Sequence, residues 1–298
     1  MKYSNRQIPE GINTSDQHPL KEFLVLAGGA VLLIVVLAWL LGQFGGRLAR
    51  LLPFEHEVAL VPTGLLSSDA GPELQSYLDE LSTRVTGQMD LPESMPIHLH
   101  FSGGGTFNAF ATLGGNVLLY RGLVEKLPHE NALAMLIAHE IAHVVHRDPI
   151  VGIGRGASIQ VVVGLLLGNP NLGVLGNAGI YTQLHFNREM ERAADAAALA
   201  AVDGLYGHVA GADDLFKVMQ AERVASGAGE MPAIFSSHPL DRRRLQAIDE
   251  LSRERGWSTI GQTTPLPPGF AAWMQAAARA AGADEKATSA DRAQARGG

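Results

Sequence analysis

The chain contains no cysteine. That absence excludes a disulfide framework, a thiolate metal site and a cysteine nucleophile, and it leaves any soft metal site to the 11 histidines. It says nothing of compartment, because an exported protein can also do without cysteine. Basic residues are scarce as well: 23 Lys and Arg face 30 Asp and Glu, a net charge of −7. Nothing in that balance offsets a phosphate backbone, so no nucleic-acid partner is expected. Charged residues of both signs make up only 18 % of the 298 residues, while 46 % are hydrophobic. Such a chain can bury a sizeable core and is not largely disordered.

Much of the charge deficit sits in one place. No charged residue occurs from Phe23 to Gly46. Its most apolar part, residues 23–41, spans roughly 28 Å as a helix, close to the hydrocarbon thickness of a bilayer. Trp39 lies near the far end, where an interfacial aromatic ring belongs. The run is longer than a signal-peptide core, and no small-x-small cleavage site follows it closely. It reads as an uncleaved single-pass transmembrane anchor, residues 23–46, holding the protein to the lipid bilayer. Lys2, Arg6 and Lys21 precede it; Arg47 and Arg50 follow, with nothing basic after them until Arg84. By the positive-inside rule the N-terminus is cytoplasmic. In a bacterium that puts the bulk of the chain on the periplasmic side of the inner membrane.

The rest divides into a polar N-terminal tail (1–22), one domain (47–282) and a polar, alanine-rich tail expected to be disordered (283–298). Residues 47–70 read as a connector. Leu74, Leu78, Leu81 and Val85 share one face of a helix that Pro72 can start. Residues 96–101 alternate as a strand, with Ile97, Leu99 and Phe101 inward and His98 and His100 toward solvent. Two short strands, 108–111 and 117–120, flank a turn at Gly114-Gly115-Asn116. A helix from about 128 to 147 is ended by Pro149. Helices follow at about 187–202 and 211–225, and a last core helix begins near Pro239. Residues 150–182 are apolar and glycine-rich, but Asn169-Pro170-Asn171 breaks them and leaves no run long enough to cross a membrane. They read as a hydrophobic helical hairpin insert. The glycine-rich stretch Ser102–Thr106 lacks the lysine and the helix of a phosphate loop.

The chemistry concentrates in His139-Glu140-Ile141-Ala142-His143. Residues four apart stack on one helix face, so His139 and His143 can offer two imidazole nitrogens to one metal. Glu140 is turned about 100° from His139 and can reach a metal-bound water as general base. Leu133, Leu136, Ile137, Ile141, Val144 and Val145 make this helix deeply apolar, and burying three polar residues in it is costly without partners. A catalytic zinc takes a third protein ligand and keeps one position for water. Glu191 and Asp195 are four apart, beside the small residues Ala194 and Ala198. Glu191 is the expected third ligand, and Asp195 the acceptor of a ligand histidine's ring N–H. His146 reads as a flanking surface residue.

These motifs together resemble the membrane-associated gluzincin metallopeptidases, the family of the type I CAAX prenyl proteases, the HtpX proteases and periplasmic chaperone-proteases. Asn108-Ala109-Phe110-Ala111 with Gly114-Gly115 and Arg121-Gly122-Leu123 resembles the strand and turn before the zinc helix. Ala138 to His143 is similar to the zinc motif, and Glu191-x-x-Ala194-Asp195 to the third-ligand motif. Ser237-His238-Pro239 with Arg244-Leu245 resembles the late His-Pro…Arg motif. The resemblance implies a zincin-like α+β domain, mainly helical, with a small β-sheet and one transmembrane helix before it. It implies one zinc ion on His139, His143 and Glu191, with Glu140 as base. It makes Asn108–Ala111 an exposed edge strand that pairs with extended substrate, and it puts His238 and Arg244 near the active site, either of them a donor to the oxyanion of the tetrahedral intermediate. His238 either donates to the oxyanion, occupies the fourth zinc position in a latent state, or only precedes Pro239 as a cap.

Prenyl-protease and HtpX members have several full spans, and only one is evident here, which argues against prenyl-protein processing. The expected function is a membrane-anchored zinc metalloendopeptidase that cleaves unfolded or misassembled envelope proteins. The alternative is a membrane-anchored chaperone or assembly factor with a latent zinc site.

Overall fold

The computed structural model describes residues 19–61, 66–154, 186–227, 229, 231–239 and 242–296. Helix α1 (Pro19–Ala49) contains the expected anchor and extends it at both ends. Within it, Leu20–Ala49 is, among the described residues, the one stretch long and apolar enough to cross a membrane. Leu24, Val31, Leu33 and Trp39 are all exposed along it. An apolar surface that the protein itself leaves bare is suited to hydrocarbon rather than water. The short helix α2 (Phe54–Ala59) then interrupts what reads in the sequence as plain connector.

Helix α3 (Pro72–Thr86) starts on a proline whose fixed φ suits the first helical position. Leu74, Leu78, Leu81 and Val85 are all buried, as their spacing predicts. Three strands follow: β1 (His98–Ser102), β2 (Ala109–Ala111) and β3 (Asn116–Tyr120). The sheet order is β1-β3-β2. β1 runs parallel to β3, with Leu99 opposite Val117 and Phe101 opposite Leu119. β2 runs antiparallel to β3, with Phe110 opposite Leu118. The turn between β2 and β3 needs its glycines: Gly115 has φ +79, and a Cβ there would meet the Pro96 carbonyl oxygen at 1.9 Å. Two expectations for β1 shift. Ile97 falls outside the strand, and His100 is not left to solvent, because its Nε2 lies 2.8 Å from Asn116 Oδ1.

After the short turn α4 (Arg121–Val124), helix α5 (Glu130–Val145) is buried nearly all round. Its N-cap is His129, whose ring accepts from the Ala132 N–H at 3.2 Å. Glu130 in the first turn is also buried. It accepts from Tyr77 at 3.0 Å, Arg84 at 3.0 Å and Tyr206 at 2.9 Å, which satisfies a carboxylate placed at the positive end of the helix. The chain turns after Val145 and resumes helix over residues 148–154. Pro149 therefore begins a second helical piece rather than merely ending the first.

Helix α6 (Arg188–Tyr206) packs along α5. Its buried Ala194, Ala198 and Ala201 let the two backbones come close. Asn187 caps it, Oδ1 accepting from the N–H groups of Glu189 and Met190 at 2.9 and 3.0 Å. Helices α7 (Asp214–Ser226), α8 (Ile234–Ser237), α9 (Arg242–Arg255) and α10 (Phe270–Arg296) complete the described chain. α10 continues to Arg296, through the segment expected to be disordered from 283; the alanines spread through that segment, with Glu, Lys, Gln and Arg between them, are good helix formers. The proposed hairpin insert lies almost entirely outside the described residues, since 155–185 are not among them.

One core joins α3, the sheet, α5, α6, α7 and α10. A second, smaller cluster of Phe110, Leu118, Val151, Phe186 and Met190 covers the other face of the sheet. This corrects the expectation of an exposed strand at Asn108–Ala111. β2 does sit at the sheet edge, but Ala109, Phe110 and Ala111 are buried and Asn108 is half-buried. Ala109 and Ala111 enter the main core, and Phe110 enters the second cluster. A strand covered on both faces has no side chain left to expose.

Candidate metal centre

The middle of α5 carries His139, Glu140 and His143 into the protein, at 3, 1 and 0 % exposure. α6 runs against that face and brings Glu191 and Asp195, both buried. His238 follows the last turn of α8, and Arg244 comes from α9; both are buried as well.

Four donor atoms converge. His139 Nε2 lies 3.2 Å from His143 Nε2 and 3.3 Å from His238 Nδ1. Glu191 Oε1 lies 3.0 Å from His238 Nδ1 and 3.4 Å from His143 Nε2. Ligands bound at 2.0–2.2 Å around a tetrahedral ion are roughly 3.3–3.6 Å apart, so these spacings are close to the edges of a zinc tetrahedron. His139, His143, Glu191 and His238 are the group of possible ligands that the described residues bring within 4.8 Å of one another.

The outer nitrogens explain why the inner ones face each other. His139 Nδ1 is 3.0 Å from Asp195 Oδ1, and His143 Nδ1 is 2.9 Å from Asp148 Oδ2. Asp148 accepts the His143 ring N–H, which fixes that tautomer, and Asp195 stands at ion-pair distance from His139 Nδ1 without a well-aligned hydrogen bond; in both rings Nε2 is the inward atom. Acceptors packed this closely repel one another unless a proton or a cation lies among them. The protonation tendencies express the same demand. Burial works against charge on His143, but the ring's bonds to Asp148 and Glu191 outweigh it, and the imidazole is pushed up to about 9. His139 is held below the usual histidine range, burial outweighing Asp195. Glu191 is held well below the carboxylate range: burial opposes this, but His238, His143 and Arg244 prevail. The donor set therefore fits a divalent cation.

Arg244 completes the frame. Its Nε and Nη2 donate to Asp195 at 2.8 and 2.7 Å, a bidentate pair, and its Nη1 lies 2.6 Å from Glu191 Oε2. The same Nη1 also reaches the Pro239 carbonyl at 3.3 Å. Where the sequence suggests an oxyanion donor, the structure spends this guanidinium on holding the two carboxylates of α6. Glu140 is different. Its Oε1 lies 3.5 Å from His238 Nε2, and its Oε2 is buried without a hydrogen-bond partner. An orphaned buried carboxylate oxygen beside a metal-type donor set is placed to receive a proton from something not yet bound.

Three residues of this neighbourhood carried no signal in the sequence reading. Asp148 holds His143. Phe186 stacks on the His143 ring, centroids 4.0 Å apart and planes 14° apart. Arg147, at φ +60 just past the metal helix, donates to Glu57 and to the Leu52 carbonyl and covers the Phe54 ring. It thereby ties the connector after the anchor to the end of α5. His146 proves half-buried rather than a plain surface residue, with Nδ1 buried and unbonded.

Residues 72–252 match the model of peptidase family M48, which is more than half of the chain. The chain belongs to peptidase family M48. This is the metallopeptidase group that the motifs resemble, and the matched residues include His139, Glu140, His143, Glu191, His238 and Arg244. Among M48 relatives, the beta-barrel assembly-enhancing protease of Escherichia coli (strain K12) is 27 % identical over 192 residues, covering 58 % of this chain and 38 % of that protein. The mitochondrial metalloendopeptidase OMA1 of Schizosaccharomyces pombe is 31 % identical over 172 residues, covering 56 % of this chain and 48 % of that protein. Protease HtpX of Legionella pneumophila is 28 % identical over 166 residues, covering 49 % and 54 %. The chain thus spans less than two thirds of the length of each of these M48 relatives.

Proposed function

We propose that this M48 chain is a membrane-anchored zinc metalloendopeptidase that hydrolyses peptide bonds in unfolded or misassembled envelope proteins. The observation that carries the chemistry is Glu140: a buried carboxylate with one unpartnered oxygen, next to three converging ligand side chains. Held by His139, His143 and Glu191, a zinc ion would supply Lewis acidity and an acidified water. Glu140 would take the water's proton as it attacks the scissile carbonyl and return it to the leaving amine. Asp195 and Asp148 orient the two histidines, and Arg244 keeps Glu191 and Asp195 ionised in their buried place. His238 Nε2 would be the donor left for the oxyanion, a contribution of typically about 3 kcal/mol. An extended substrate would pair with the backbone of Asn108–Ala111 only once that edge is uncovered, because Ala109 and Ala111 have no exposed surface, main chain included.

Protein substrates are supported by the relatives' names, which describe a protease that enhances β-barrel assembly and an endopeptidase of mitochondria. α1 supports attachment to the bacterial inner membrane, with the N-terminus cytoplasmic and the catalytic domain periplasmic. The absence of cysteine makes that orientation easy to test. A single cysteine introduced at exposed Glu254 should react with a membrane-impermeant maleimide added to intact spheroplasts; reaction only after lysis would invert the topology.

Cleavage tests the chemistry. Glu140→Gln should bind zinc as the parent does and should not degrade a permanently unfolded protein; undiminished degradation would remove Glu140 from the base role. One observation favours a second reading, a chaperone or assembly factor with a latent site. His238 Nδ1, 3.0 Å from Glu191 Oε1 and 3.3 Å from His139 Nε2, stands where the water's place would be. Full complementation of a deletion strain by Glu140→Gln would decide for that reading.

A further inference from the structure

A cavity of about 590 Å³ opens where the anchor leaves the hydrocarbon, within the roughly 300–1,000 Å³ range of small-molecule sites. It is distinct from the metal centre and lies behind His143, on the side of Asp148. Its wall joins the end of α1 to the start of α6: Arg47 and Arg50 on one side, Glu189 and Met190 on the other, His146 and Asp148 between them. The anchor is firmly seated here. A Cβ at Gly154 would lie 2.7 Å from both the Gly45 carbonyl oxygen and Ala49 Cβ.

Two buried polar atoms of this cavity, Asp148 Oδ1 and His146 Nδ1, have no hydrogen-bond partner. Asp148 is 1 % exposed, yet its Oδ1 has no hydrogen-bond partner. Arg50 Nη2 stands 3.7 Å from that oxygen, an ion-pair distance that leaves the hydrogen bond unmade. His146 Nδ1 is also buried and unbonded. A buried acceptor of this kind costs free energy until a donor fills it. The charges lining the cavity balance, Arg47 and Arg50 against Asp148 and Glu189, so neither a bare anion nor a bare cation is matched. A zwitterion is matched: an anionic group on the two guanidiniums and an N–H-bearing cation on the two carboxylates. Leu48 and Leu51 are exposed beside the arginines at 63 and 77 %, which leaves an apolar path for acyl chains.

We propose that this cavity binds the phosphoethanolamine headgroup of a membrane phospholipid, phosphate on Arg47 and Arg50 and ammonium on Asp148 and Glu189. The inference rests on the membrane-anchor part of the proposed function and is independent of peptidase activity. Its site shares Asp148 with His143, so an occupied cavity would reach the metal centre through one carboxylate.

The test is lipid retention by the full-length chain in detergent, measured by native mass spectrometry after incubation with matched-chain phosphatidylethanolamine, phosphatidylcholine or phosphatidylglycerol. Retention of phosphatidylethanolamine should exceed both others about tenfold. Methylation removes the N–H donors, and glycerol removes the cation. The preference should vanish in Arg50→Ala and in Glu189→Gln, both at exposed side chains where folding is safe and is checked by circular dichroism. Equal retention of the three lipids, or an unchanged preference in both variants, would overturn the proposal. Displacement by soluble phosphoethanolamine at the lipid's own concentration would also overturn it, because the ligand would then be a free metabolite. Co-flotation with vesicles separates the two inferences: a chain that floats without headgroup preference retains its anchor and loses this site, and a chain that does not float loses both.

Discussion

Replacing Arg244 with alanine would leave Asp195 and Glu191 buried without the guanidinium that now meets both of them. Three short contacts, at 2.8, 2.7 and 2.6 Å, would be lost together. Breaking a buried ion pair from one side typically costs about 3–5 kcal/mol, because the remaining charge stays uncompensated. Loss of contact with the Phe216 ring, 5.1 Å from the guanidinium carbon, adds to this. Against a total stability of roughly 5–15 kcal/mol, this would bring the domain close to unfolding. For a domain of this size a loss of that magnitude lowers the melting temperature by roughly 6–20 °C. The assay is thermal and urea unfolding of the parent, Arg244→Ala and Arg244→Lys, each with zinc and with chelator. A bound dication would supply part of the missing positive charge, so the loss should be largest in chelator. Lysine should restore only part of it, since an ammonium cannot make the bidentate pair. A loss below about 1 kcal/mol in chelator is the size of a surface pair and would refute the reasoning.

Asp148→Asn should weaken zinc affinity about 10–100-fold while leaving the ligands intact, as loss of a histidine-orienting carboxylate does; competition with a chromophoric chelator measures it, and unchanged affinity would detach Asp148 from the site. Asp214 sits 2.8 Å from His129 Nε2, the ring that caps α5, and 2.8 Å from Lys217 Nζ. Burial opposes its ionisation, but Lys217 and His129 outweigh it and hold the carboxyl below its usual value. The stability it contributes is then fully present above the unfolded carboxyl value near 3.9 and is lost as pH falls through the lower folded value. The urea midpoints of the parent and Asp214→Asn should differ by a constant amount above pH ~5 and converge below ~4; a gap that widens in acid would have the wrong sign.

The convergence of His139, His143 and Glu191 was legible because helix geometry is local. Four-residue spacing puts His139 and His143 on one face whatever surrounds them, and the same spacing marks Glu191 and Asp195. The core face of α3 was legible for the same reason. Asp148 was not, although only five residues separate it from His143. Its approach depends on a break after Val145 and on Arg147 adopting φ +60, a conformation that no glycine announces. Arg147 itself is paired with Glu57, ninety residues earlier, and no periodicity records a contact at that range. β2 misled in another way. Ala-Phe-Ala looks like a bare edge strand, and only the second cluster on the far face of the sheet shows that both sides are covered. The late motif signalled that His238 and Arg244 approach the site, but not that Arg244 spends its donors on Asp195 and Glu191.

The most direct measurement of the central claim is zinc content and unfolded-protein cleavage, made side by side on the full-length chain and on Glu140→Gln. The expected result is one zinc per chain in both proteins and cleavage only by the parent. Cleavage at the parental rate by Glu140→Gln, or parental cleavage that survives complete removal of zinc, would contradict it.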